Sequence, residues 1–174
     1  MQLTTILVAA LAATASAVSS RAVRRQTHYI NQNCRLISAT DPNFSVADLA
    51  SGTVATKILT FNVGPTAAGP CQLVGAFGAG FPVDQGGDAF SRLDVRALGG
   101  NAPGSLVGSF GPLQVVDDAV VQDTVRVINS FQCQESLSFE FAIANDAGAD
   151  VDVNVAFTAS PWDGFFVVVG DQCY

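Results

Sequence analysis

Ser136-Leu137-Ser138-Phe139-Glu140-Phe141-Ala142-Ile143 alternates polar and apolar side chains with a period of two, and Val151, Val153, Val155 and Phe157 repeat the pattern a few residues on. In a pleated strand successive side chains point to opposite faces, so this spacing gathers Leu137, Phe139, Phe141 and Ile143 on one side; a helical period would scatter them around the axis. Between the two runs, Asn145-Asp146-Ala147-Gly148-Ala149-Asp150 is rich in turn formers. The runs are therefore expected to be adjacent antiparallel strands with one buried face. Burial of each large side chain is worth roughly 1.5 to 3 kcal/mol, so these eight positions are core candidates.

The same reading extends outward to Ile58–Val63, Gln72–Phe77, Leu93–Leu98, Leu113–Val116, Thr124–Asn129 and Phe165–Val169, each bounded by Gly, Pro, Asn or Asp. Sixteen glycines and seven prolines punctuate the chain. A short helical turn is expected only at Ser45–Leu49, with Ser45 as cap and Asp48 at the third position. Many short strands with frequent turns predict an all-β protein: a two-sheet antiparallel β-sandwich of about eight strands, with a closed β-barrel as the alternative.

The first residues point to export. Leu3 to Ala13 is an uncharged run of signal-peptide length, too short to cross a bilayer, and Ala15-Ser16-Ala17 is a small-x-small cleavage pattern, so residues 1–17 read as a secretory leader cut after Ala17. Arg24-Arg25 then offers a dibasic processing site, making 18–25 a short propeptide and 26–174 one domain of 149 residues. Five Lys and Arg would face fifteen Asp and Glu in that mature chain, a net charge of −10. Such a surface repels phosphate backbones and anionic lipid, which argues against a nucleic-acid partner or membrane binding.

Cys34, Cys71, Cys133 and Cys173 are an even set in an exported chain and read as two disulfides, with three connectivities open. The preferred one joins Cys71 to Cys133 within the domain and Cys34 to Cys173 across its ends. Asn43-Phe44-Ser45 is an N-glycosylation triplet in a polar stretch.

Residues with catalytic chemistry are sparse. His28, the single histidine, stands near the expected mature terminus, before any element that could hold it against a nucleophile, and one histidine with four paired cysteines leaves no zinc ligand set. Gly75-Ala76-Phe77-Gly78-Ala79-Gly80 lacks the Lys-Ser/Thr of a phosphate loop. Carboxylates cluster instead at turns: Asp84 with Asp88, Asp117 with Asp118, and Asp146 with Asp150 and Asp152. Turn chemistry accounts for acids there. The alternatives are a calcium site built from Asp84, Asp88, Asp146, Asp150 and Asp152, or a glycosidase pair. Trp162, Asp163 and Phe165 could form an aromatic platform with a carboxylate for a sugar ring, or an aromatic plug at the end of the sandwich.

A strand ending before Cys71-Gln72-Leu73, a middle strand at Leu93-Asp94-Val95, Cys133 after a strand, and Trp162-Asp163-Gly164-Phe165-Phe166 near the end resemble a fungal domain family. That family is named for the C-terminal domain of a yeast protein that binds a ubiquitin-like-activating enzyme, and the likeness covers about Ile58 to Tyr174. It implies an exported ascomycete protein, often at the cell surface, and assigns no catalytic residue. The cytosolic enzyme in the name is set aside as a partner, because an exported chain does not meet it. The expectation is an extracellular or cell-wall, non-enzymatic structural or interaction protein without a cofactor, whose partner is a wall glycan or an extracellular protein. A carbohydrate-binding module, calcium-dependent or not, is the first alternative, and a polysaccharide hydrolase with an Asp pair the second.

Overall fold

The computed structural model describes residues 34–65, 69–99, 103–144, 150–170 and 173. Among these the regular elements are strands: β1 (Arg35–Ser38), β2 (Asn43–Asp48), β3 (Val54–Ala55), β4 (Lys57–Asn62), β5 (Pro70–Phe77), β6 (Asp84–Gly86), β7 (Leu93–Ala97), β8 (Leu106–Phe110), β9 (Val115–Val116), β10 (Ala119–Val120), β11 (Thr124–Gln132), β12 (Ser136–Ile143), β13 (Val153–Thr158) and β14 (Gly164–Val169). A short 3-10 turn at Asp88–Phe90 is the one helical piece described. The chain is all-β and antiparallel, and its sheets do not close into a barrel.

Four sheets replace the expected two. Three have four strands, in the orders β1-β14-β5-β11, β4-β12-β7-β8 and β3-β2-β13-β6, and β9 with β10 forms a two-stranded ribbon. The strand count exceeds eight because β1, β2, β3, β6, β8 and β10 add to the expected segments, and of these β3, β6 and β10 are only two or three residues long. Segments so short carry no readable alternation.

The two runs that decide the fold class bury one face each, as their period requires, but they are not neighbours. β12 pairs with β4 and β7, whereas β13 pairs with β2 and β6. The connector carries the chain from one sheet to another, and the two apolar faces meet through the core: the Phe44 ring lies 5.5 Å from Phe141 and stacks at 4.7 Å on Phe157. Of the expected helical turn at Ser45–Leu49, Ser45 to Asp48 lie in strand β2, not helix. Phe44 and Val46 alternate inward and are fully covered, so pairing with β13 overrides the local capping signal.

Phe165, on β14, is the hub of the core. Its ring contacts Phe141 at 4.6 Å, Phe44 at 5.2 Å, Phe110 at 5.3 Å and Phe77 at 5.6 Å, so the three large sheets converge on it. Such ring pairs add about 0.5 to 1.5 kcal/mol each beyond area burial. Two glycines permit the close approach. A Cβ at Gly75 would overlap the Phe110 ring, and one at Gly108 would overlap the Ile128 carbonyl oxygen, so β8 can lie tight against β11 and β5.

β14 is buried on both faces. Phe165 and Val167 enter the main core, while Val168 joins Val74, Leu36, Val125 and the Cys34–Cys173 disulfide in a second cluster on the opposite face. Cys71 is bonded to Cys133. Because β1 pairs along β14, the Cys34–Cys173 bond sits where the first and last described strands already meet. Among the described residues no helix is long and apolar enough to cross a membrane.

Candidate functional site

The turn between β13 and β14 is built from Ser160, Pro161, Trp162 and Asp163. Ser160 Oγ accepts the N–H groups of Trp162 (3.1 Å) and Asp163 (2.9 Å) and donates to Asp163 Oδ2 at 2.7 Å. The Ser160 N–H donates to the Asp163 carbonyl at 2.9 Å, closing the turn on itself. The other carboxylate oxygen, Asp163 Oδ1, accepts the Gly78 N–H at 2.6 Å and pins the turn to the end of β5. Next to this anchor the Ala79 N–H donates to Asp123 Oδ1 at 2.7 Å, and Gly80 N–H to the Val120 carbonyl.

These bonds separate the three residues of the aromatic reading. Phe165 is 3% exposed and belongs to the core, and Asp163 is 9% exposed with both carboxylate oxygens engaged. Neither presents itself to a ligand. Trp162 is 49% exposed, held up by a turn whose backbone is fixed at both ends. So the plug is Phe165, and Trp162 alone keeps a face open for stacking. Ser160 and Gly78 were missed in the sequence; the readable signal was a serine three residues before an aspartate, the spacing at which a hydroxyl caps a turn.

The acidic turns also resolve into anchors. Asp84 Oδ1 accepts from Asn154 Nδ2 at 3.1 Å, and Asp152 Oδ1 accepts the Ala50 N–H at 2.8 Å. β6 lies beside β13, which brings Gly87 against the Asp152 carbonyl and makes the two acidic segments neighbours. Asp150 is exposed at the start of the approach to β13, and Asp88 lies in the 3-10 turn. No three His, Cys, Asp or Glu among the described residues are grouped to hold a metal ion. Asp117 and Asp118 form the two-residue connection of the β9–β10 hairpin, with φ of 50° and 56°. Ala17, Arg25, His28 and Asp146 lie outside the described residues.

A partly open pocket with about 10 Å³ of free space borders the core, lined by Leu93, Phe110, Leu113, Val155 and Phe165 with Gln85 and Ser91 among its other residues. It has room for at most a single water, so it offers no binding chamber. Asp41 has a displaced titration. The Lys57 ammonium, hydrogen-bonded to its Oδ2, and the Asn43 N–H on its Oδ1 hold it below the ordinary carboxylate value.

Known protein families, curated proteins and solved structures provide no match to this chain.

Proposed function

We propose that this chain is an exported, non-enzymatic protein of the cell surface or wall that acts through its outer surface as a structural or interaction module. The observation that carries this reading is the covalent frame: both described disulfides brace the β-domain, one of them where its first and last described strands meet. Such bonds persist in oxidising compartments. The leader pattern of residues 1–17 and the likeness to fungal surface domains point the same way. The test is fractionation of a fungal culture expressing the full chain. Recovery from medium or wall with all four cysteines oxidised is expected, and a cytosolic, reduced product overturns the reading.

The exposure of Trp162 favours a second reading, carbohydrate binding by stacking on one aromatic face. A glycan array probed with the native chain and with Trp162→Ala, each with and without chelator, decides it. Binding that disappears in the variant supports the site, and a chelator effect would bring in calcium at the acidic segments around Asp84–Asp88 and Asp150–Asp152. An array without signal removes this reading and leaves the first untouched.

A further inference from the structure

The geometry points to Asn43 as the attachment site of an N-linked glycan that lies on the outer face of the β3-β2-β13-β6 sheet. This rests on the exported reading above, because the transferring machinery and its lipid-diphosphate-linked oligosaccharide act in the secretory pathway. Asn43-Phe44-Ser45 is the only Asn-x-Ser/Thr triplet in the sequence. In the reaction, Asn43 Nδ2 forms a bond to the anomeric carbon of the donor, the carbon–oxygen bond to the lipid diphosphate breaks, and the amide proton leaves with the diphosphate.

The acceptor must be accessible while the chain is being made and must remain exposed afterwards. Topology supplies the first condition. The strand partner of Asn43 is Thr158 on β13, 115 residues downstream, and the pairing of β2 with β3 involves Ala47 and Asp48 but not Asn43. Cys34 waits for Cys173, 139 residues away. Asn43 therefore stays in unpaired chain throughout most of synthesis, in the extended state a transferase can grip.

The folded state supplies the second condition. Asn43 and Ser45 are both exposed on the same face of β2, since the buried Phe44 points the opposite way. Thr158 Oγ1 donates to Asn43 Oδ1 at 3.1 Å. That bond engages the amide oxygen, not the nitrogen that carries a sugar, so it survives modification. Across β2 and β13 the outward side chains pair as Asn43 with Thr158, Ser45 with Ala156, and Ala47 with Asn154. None is larger than asparagine along this pair, and the Asp41–Lys57 ion pair, whose Asp41 accepts the Asn43 N–H, is the charged neighbour the first sugars meet.

Two versions of the full chain, one with its own residues 1–17 and one behind a proven secretory leader, are to be expressed in a glycosylating eukaryotic host. The secreted protein is expected to lose the mass of one N-glycan on treatment with a peptide-N-glycosidase, which hydrolyses the side-chain amide, and release in heavy-oxygen water should mark Asn43 as labelled Asp. Asn43→Gln and Ser45→Ala should each abolish the shift, while Ser45→Thr should retain it; Ser45→Ala guards against misfolding of Asn43→Gln. Failure of only the native-leader version to leave the cell overturns the export reading. Secreted, oxidised protein without a glycan from the proven leader overturns this proposal.

Discussion

Asp163 shows how a residue that reads as a ligand in sequence becomes a fastener in space. Its carboxylate satisfies a backbone N–H of Gly78 from below and the Ser160 hydroxyl from within its own turn, and it is almost covered. Truncation to Ala leaves the Gly78 donor without a partner, which costs about 1 to 3 kcal/mol. The expected outcome is a lower urea midpoint for Asp163→Ala with an unchanged denaturant slope. Trp162→Ala, by contrast, removes a half-exposed ring and should shift stability by no more than about 0.5 kcal/mol. Asp41 gives the complementary surface case. Its titration is depressed by Lys57 and by the Asn43 N–H. A depressed carboxylate contributes stability that is present above its unfolded value and is lost as pH falls through the folded one. Native protein should therefore lose stability below about pH 4 more steeply than Asp41→Asn, and the two thermal midpoints should converge toward pH 2. Parallel curves over that range would show that the pair does not couple to folding. Added salt should shrink the difference, because both groups are in contact with solvent.

At the scale of elements, what could be read from the sequence was the strand and its buried face; what could not was the strand's partner. Leu137, Phe139 and Phe141 announce an inward face by their spacing alone, yet nothing local distinguishes a hairpin between β12 and β13 from a crossing between sheets. Partner choice is made by the complementarity of whole faces, here by Phe44 fitting between Phe141 and Phe157. For the same reason Ser45–Leu49 was misread, because a capping serine is a local preference of about 1 kcal/mol and a ladder with two buried apolar side chains outweighs it. The β9–β10 hairpin is the element whose own chemistry is least well matched to its shape. Both connecting residues have positive φ, the geometry of a type I′ turn that favours Asn-Gly, and here two like-charged aspartates occupy it. Relief of the backbone penalty and of the adjacent charges in Asp117→Asn/Asp118→Gly should raise stability by about 1 kcal/mol. The check is an equilibrium urea titration, in which a fall in the midpoint would mean that the Asp117 or Asp118 carboxylate has an attractive partner.

Over the whole molecule the pairing is long-range: β1 with β14 and β2 with β13 join residues more than a hundred positions apart. Chain closure must therefore be met before most of the core can form, and the two disulfides act on that term. An even cysteine count behind a leader-like first segment makes two such bonds legible from sequence, whereas the way their sulfurs are covered is not. In the chain-entropy view the Cys34–Cys173 bond, spanning 139 residues, should contribute more than the Cys71–Cys133 bond, spanning 62: about 5 against about 4 kcal/mol as upper values. Packing predicts the opposite order. Cys71 and Cys133 both lie in the main core, while Cys34 is only partly covered, so removing the inner pair also leaves apolar contacts unfilled. Each lost methylene-sized volume costs on the order of 1 kcal/mol. Paired Cys→Ala variants of each bond, compared by urea unfolding with the denaturant slopes fitted separately, distinguish the two accounts. A greater loss for Cys71→Ala/Cys133→Ala is the expected result, because the entropic difference between the loops is only about 0.7 kcal/mol and the cavity term exceeds it. A greater loss for Cys34→Ala/Cys173→Ala, accompanied by a steeper slope, would instead show that tying the ends chiefly compacts the unfolded chain.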